Sequence, residues 1–275
     1  MQDIQYQEDI EYILAKRYDN GGSYWDSSDG RLSVGNPFST LGCAGMLREL
    51  GVDATHPVLK GAIDLIFSAW REDGRFRLAP KGTIYPCQTA EAVRVLCELG
   101  YARDDRVERT LEHLLEIQQD DGGWRCKKFS YGRGPETEFS NPWPTLTAAA
   151  AFRHTPLLNR DGRLDRAAEF LLRHWDIRTP LGPCRYGIGT RFMKISFPLD
   201  SYNLFFYVYV LSFFTMAKRD RRFLEALGTL QGKLIDGKVV VELPNRRLSG
   251  RSFCRKGEVS ELATRRYQEI LENLA

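Results

Sequence analysis

Four cysteines stand at positions where side chains could meet from far apart in the chain. Cys87 follows Pro86 at what reads as a helix start, and Cys126 lies two residues past Trp124. Cys184 sits in GPCRY, and Cys254 comes just before the last helical stretch. Four thiolates gathered at one point suit zinc in a tetrahedron, with sulfur at about 2.3 Å. Cys87, Cys126 and Cys184 are the best-placed trio, and three thiolates with an open position would make a catalytic type of site. The spacing is not C-x-x-C, so only the fold can assemble such a set. The plain alternative is a scatter of small core cysteines, which is how Cys43 and Cys97, inside apolar runs, already read. Without a metal, Cys87 at a helix N-terminus is the best candidate for an acidic, reactive thiol.

Other groups offer acid chemistry and anion binding. Glu138 and Asp200, with Glu136, are carboxylates that could serve as acids if burial raised their pKa. CRYGIGTRFMK combines two glycines with Arg185, Arg191 and Lys194, and NRRLSGRSFCRK adds Arg246, Arg247, Arg251, Arg255 and Lys256. Clustered arginines and exposed amides suit a diphosphate, and a solvated basic loop is the competing reading. There is no G-K-[ST] and no preceding strand, so this is not a phosphate loop. The four histidines form no triad. His113 and His174 fall on amphipathic helices, and surface or capping roles explain all four.

The elements that must position these groups follow from a repeat. YILAKRYDNGGSYW, DLIFSAWREDGRF and LLEIQQDDGGWRC share one shape, an apolar helix, polar residues, a glycine turn and an aromatic. FLLRHWDIRTPLGPCRY and LEALGTLQGKLIDGKVVVE are looser versions. Trp25, Phe76, Trp124, Tyr186 and Val241 occupy equivalent places roughly fifty residues apart, the mark of a repeat architecture. Between the turns NPFST, YPCQT, NPWPT and FPLDS each open with proline, followed by Ser or Thr whose hydroxyl could cap a helix. Ten helices in five pairs are predicted: 3–17 with 37–50, 57–71 with 86–99, 105–119 with 142–154, 164–176 with 198–217, and 219–231 with 257–274. The first of each pair is amphipathic and the second apolar or small nearly all round. The fold class is therefore all-α, a single domain over 1–275 in which an inner ring of helices is wrapped by an outer one. A solenoid is the competing stack.

Composition sets outer bounds. The 275 residues are 43% hydrophobic and 27% charged, with a net charge of +3, so nucleic acid is not indicated. The start, MQDIQYQEDIEY, lacks the features of a signal peptide. The most apolar run, Tyr202 to Ala217, falls short of the ~20 residues a membrane span needs. Six cysteines without a secretory signal fit a reducing, cytoplasmic setting.

QQDDGGW, Gln118 to Trp124, resembles the QW repeat of squalene and terpenoid cyclases. The paired-helix period resembles the wider α/α-toroid superfamily, which includes protein prenyltransferase β-subunits. The resemblance covers nearly the whole chain and implies a central cavity holding an isoprenoid chain, with chemistry on one rim. Here that rim would be 77–87, 125–145, 184–201 and 244–258. It implies ligand contacts from Tyr85, Trp143, Arg185, Arg191, Phe192, Lys194 and Tyr202, since aromatic faces suit a polyene and steady a carbocation. Asp200 and Glu138 would be the catalytic acids, and Cys87, Cys126, Cys184 and Cys254 the zinc ligands. The family's D-x-D-D acid is absent, and Asp104-Asp105-Arg106-Val107-Glu108 imitates D-D-x-x-D but reads as a helix cap. Where prenyltransferases bind zinc with D-x-C, Asp236-Gly237-Lys238 has lysine. The implied function is a prenyltransferase- or terpene-cyclase-like protein that binds an isoprenoid or other apolar ligand. The alternative is a non-catalytic lipid-binding or interaction scaffold with structural zinc. A carbohydrate-active α/α barrel would need a carboxylate pair that the chain does not offer. Five helix pairs against the family's usual six leave a gap that a partner or a second copy, as a homodimer, would fill.

Overall fold

Glycine turns and capped helix starts punctuate the whole chain. The computed structural model describes residues 4–126 and 134–275, and residues 127–133 of the expected rim stretch 125–145 lie outside it. The described residues form ten α-helices: α1 (Gln7–Ala15), α2 (Thr40–Glu49), α3 (Pro57–Ser68), α4 (Pro86–Glu98), α5 (Asp105–Glu116), α6 (Pro142–Phe152), α7 (Gly162–Ile177), α8 (Leu204–Leu211), α9 (Arg221–Gln231) and α10 (Glu261–Leu274). The only strands among them, β1 (Ser196–Phe197) and β2 (Leu243–Pro244), are two residues each and pair in parallel. The fold is all-α, and each predicted helix is present.

The chain divides into two compact units. The first is Met1–Leu114 with Arg251–Phe253, the second Leu115–Gly250 with Cys254–Ala275. In the first, α2 packs against α1, α3 and α4. In the second, α8 packs against α6 and α10, α7 against α6 and α9, and α9 against α8. Of the second helices, α6 and α8 are apolar nearly all round because they are enclosed, whereas α10, expected to be so too, is amphipathic and buries only Leu262, Ala263, Thr264, Tyr267 and Ile270. Every residue of α8 is buried, and of α6 only Trp143 is not. By contrast α7 buries one stripe, including Leu164, Ala167, Ala168, Leu171 and Trp175.

The turn that follows α5 shows what the repeat motif does. Gln118 Nε2 donates to Gly122 O at 2.6 Å and to Arg163 O at 2.8 Å, tying the turn to the start of α7. Asp121 accepts from Ser140 N and Ser140 Oγ, both at 2.7 Å. Gly122 has φ +93, and a Cβ there would lie 2.3 Å from Arg166 O. Only glycine fits. Trp124 is then fully buried and stacks on Phe152, ring centroids 6.4 Å apart.

Two expectations need revision. Ser39 of NPFST caps α2 as expected, its Oγ accepting from Gly42 N at 3.1 Å, but Thr89 and Thr145, and Thr264 at the same place in α10, do not cap their own helices. Thr89 Oγ1 accepts from Phe76 N at 3.3 Å, Thr145 Oγ1 from Trp124 N at 3.1 Å, and Thr264 Oγ1 from Val239 N at 3.0 Å. Each sits inside the first turn of its helix, too late to reach the free amides, and holds the preceding aromatic or aliphatic strap instead. This bond registers the fifth repeat at Val239 rather than Val241. Second, α8 begins at Leu204, not 198, because Asn203 Oδ1 accepts from Phe206 N at 2.9 Å and makes the cap. It ends before 217, where Asn159 Nδ2 donates to Phe213 O at 2.9 Å and Asn159 Oδ1 accepts from Thr215 N at 2.8 Å.

Three odd-numbered helices, α5, α7 and α9, share an aspartate cap, whereas α1 and α3 have no side-chain cap. Asp104, Asp161 and Asp220 each accept from the backbone N two residues on, at 3.0, 2.9 and 2.8 Å. Each also pairs with the guanidinium of that residue, Arg106, Arg163 and Arg222. The arginine bonds hold all three carboxyls below their ordinary pKa. The Asp104–Glu108 imitation of a magnesium motif is thus a helix cap.

Candidate functional site

The second unit gathers a continuous set of rings from four elements. The first turn of α6 supplies Trp143, and the last turn of α7 supplies His174 and Trp175. The loop 184–203 supplies Tyr186, Phe192 and Tyr202, and α8 supplies Tyr207. Trp143 meets Tyr186 at 6.0 Å, Tyr186 meets Tyr202 at 5.6 Å, and Tyr202 meets Phe192 at 4.9 Å between centroids. Phe192 continues to Trp175 at 6.5 Å and to Tyr207 at 5.8 Å. Trp175, Phe192 and Tyr207 are buried and form a closed floor. Trp143, Tyr186 and Tyr202 keep partial exposure and form the open side. These contacts are tilted or edge-on, while Trp175 also stacks on Tyr207 at 5.8 Å.

Behind the open side stands a neutral imidazole. His174 is fully buried, with Nε2 3.0 Å from Thr179 O and Nδ1 2.6 Å from the Tyr202 hydroxyl. A carbonyl only accepts, so Nε2 carries the hydrogen, and Tyr202 must donate to Nδ1. Burial brings the His174 pKa down to about 4 and pushes the Tyr202 phenol well above its usual value. Near neutrality the pair is uncharged, and the hydrogen bond fixes the Tyr202 ring. His174 is therefore not the surface or capping histidine its helix suggests. The signal available was its neighbour Trp175, on the apolar stripe of α7.

Three predicted ligand contacts, Trp143, Phe192 and Tyr202, fall in this set. Trp175 and Tyr186 were placed by the sequence only as helix and repeat residues. Asp200 is half-buried beside it, its backbone oxygen 3.4 Å from Trp143 Nε1. Glu138 points to solvent, its side chain 76% exposed and 3.3 Å from Arg125. Arg185 and Arg191 are exposed, and Lys194 pairs with Glu242 at 3.3 Å. Tyr85, at the cap position of α4, and Cys87, in its first turn, belong to the first unit.

The cysteines are all thiols. Cys254 is buried with its Sγ 3.2 Å from Leu248 O. Cys126 and Cys184 come together through Asn141, which the sequence reading passed over. Asn141 N donates to Trp124 O at 2.9 Å, and its Oδ1 accepts from Cys184 N at 3.0 Å. Burial raises the Cys184 thiol pKa, and Cys126 nearby adds to the shift. Among the described residues no three His, Cys, Asp or Glu side chains are grouped to hold a metal ion.

No protein-family profile matches the chain. The chain is similar to squalene–hopene cyclase of Zymomonas mobilis, 26% identical over 131 residues, covering 42% of this chain and 20% of the cyclase. It thus spans about a fifth of that relative's length. The likeness is partial and points to the terpenoid cyclases. Among the described residues no helix is long and apolar enough to cross a membrane.

Proposed function

We propose that this chain binds an isoprenoid or similar apolar chain against the open side of the aromatic set, in the manner of a terpene-cyclase-like protein. The observation that carries the reading is the continuous run of rings from Trp143 to Tyr207, with one exposed edge and a buried floor. Such a surface favours a polyene by apolar contact. Its π faces would also steady positive charge developing along that polyene. A neutral His174 behind Tyr202 adds no charge at the open side, and the cation against the set, the Arg178 guanidinium, lies 4.8 Å over the Trp175 ring of the floor. The partial likeness to squalene–hopene cyclase supports the same ligand class.

Closure of the helix pairs into a ring is part of this proposal. Support comes from Arg251–Phe253, which belong to the first unit. Ser252 N donates to Asp9 of α1 at 3.0 Å, and the Arg251 guanidinium lies 3.9 Å over the Tyr12 ring. Within the first unit, residues 251–253 are thereby held against α1.

If the chain turns over a ligand, Asp200 is the better placed of the two predicted acids, because it adjoins Trp143. The exposed, paired Glu138 favours the second reading, binding without catalysis. Native mass spectrometry of the purified protein, followed by incubation with squalene and with farnesyl and geranylgeranyl diphosphates, separates the two. A bound lipid whose retention falls about tenfold or more in Trp143→Ala, the effect of losing roughly 1.5 kcal/mol of ring contact, is the expected result. Product formation abolished in Asp200→Asn would add catalysis. Neither retention nor turnover of any of these compounds would remove the proposal.

A further inference from the structure

The first unit holds a cavity of its own, walled by the loop 29–34, the stretch 79–81 and Gln88 in the first turn of α4. Its volume is about 560 Å³, enough for a metabolite. The walls are fixed to each other, with Leu32 N donating to Leu78 O at 2.9 Å. The loop 27–31 closes on itself, since Ser27 N donates to Arg31 O at 3.1 Å and Arg31 N to Ser27 Oγ at 2.9 Å.

The lining divides by chemistry. Val34, Ala79 and Pro80 are apolar, and Asp29, Arg31, Ser33, Lys81 and Gln88 are polar. Asp29 meets Arg31 Nε at 2.8 Å and so sets the plane of its guanidinium. Among the described residues, the Lys81 ammonium, the Ser33 hydroxyl and the Gln88 carboxamide have no hydrogen-bond or ionic partner within the chain. Three donors of different kinds thus line one concavity with nothing in the protein to receive them, next to a second cation. Two cations against one carboxylate leave the site electropositive. A carboxylate ligand offers only two acceptor oxygens to these four groups. A tetrahedral oxyanion has enough acceptor oxygens to meet guanidinium, ammonium, hydroxyl and amide together.

We propose that this cavity binds a small molecule through a phosphate or diphosphate group, held by Arg31 and Lys81 and hydrogen-bonded by Ser33 and Gln88. The carbon part of the ligand rests on Val34, Ala79 and Pro80. The site is separate from the aromatic set and does not depend on what that set binds.

The test is isothermal titration of the full chain with inorganic diphosphate and inorganic phosphate at low salt. Binding that weakens as salt is added is expected. Lys81→Ala and Gln88→Ala should each weaken it about tenfold, the loss of one good charge-assisted or directed hydrogen bond. Lys60→Ala, on a residue paired with Asp64 on α3, should leave it unchanged. Lys81 is exposed and Gln88 half-exposed, so both variants should keep the wild-type melting curve, which is measured alongside. Absence of heat with either anion up to about 10 mM, or equal affinity in wild type and Lys81→Ala, overturns the proposal. Flotation with vesicles containing phosphatidic acid identifies the source. Binding to vesicles without binding to free anions would make the ligand a lipid headgroup and reject the small-molecule site.

Discussion

Lowering the pH from 7 to 4.5 should weaken the folded state through His174 alone by a measurable amount. The imidazole ordinarily titrates at 6.5 and is held at about 4 by burial. Below pH 6.5 the unfolded chain takes up a proton that the folded chain refuses until about pH 4. The unfolded state therefore binds more protons across this window, and stability rises with pH inside it. The contribution of neutral His174 is complete above pH 6.5 and is lost as pH falls toward 4. Over the full gap it amounts to about 3 kcal/mol, and roughly 2.5 kcal/mol of that is lost between pH 7 and 4.5. Urea denaturation of wild type and His174→Gln at steps of pH isolates it. Carboxylates such as Asp104, Asp161 and Asp220 titrate in both proteins and cancel in the difference. The wild-type advantage should shrink by roughly 2.5 kcal/mol between pH 7 and 4.5. A constant difference, or an NMR titration of His174 centred near 6.5, would refute the buried Tyr202–His174 pair and with it the fixed ring at the open side of the aromatic set.

Two further outcomes test the scaffold. Gly122→Ala should destabilise the protein by well over 1 kcal/mol in thermal or urea melts, since the new Cβ meets the backbone of Arg166 and φ is positive. The neighbouring Gly162→Ala, where nothing lies within 4 Å of the new Cβ, should be near neutral. Asp161→Ala should cost about 1 kcal/mol at pH 7 through the lost cap of α7. Because its carboxyl is held below the ordinary 3.8, the cost should persist above that pH and fade as the solution becomes more acidic. A cost that does not vary with acid would assign it to packing instead.

Helix positions were legible because two periodic signals agreed, apolar spacing within each helix and the glycine turn between them. Helix starts were less so, because Pro and Thr mark the neighbourhood of a start without saying which group uses the hydroxyl. Thr145 looks like a cap and instead receives Trp124 N from another segment. Of the aspartate caps, the sequence reading catches only the one at 104; Asp161 and Asp220 share its D-x-R spacing, a local motif that needs no tertiary contact to work. The aromatic set was only half legible. Trp143, Phe192 and Tyr202 carried the signal of bulk near helix starts. Tyr186 and His174 did not, since their roles depend on a loop folding over α7, which no local pattern encodes.

The same limit bears on the thiols. A cysteine has no local signature for convergence, so Cys126, Cys184 and Cys254 looked alike in the sequence. Their surroundings separate them. Cys254 is enclosed beside Leu248 O, whereas Cys126 and Cys184 are drawn together by one buried asparagine bridging two segments. The Asn141 side chain accepts from Cys184 N while its Nδ2, buried, has no partner. Asn141→Ala would leave the Cys184 amide unmatched inside the protein, a loss of about 1–3 kcal/mol. Asn141→Asp would keep the acceptor but bury a charge in a fully enclosed position. Asparagine supplies the acceptor while staying neutral, so the residue that joins the thiol segments is set by its burial.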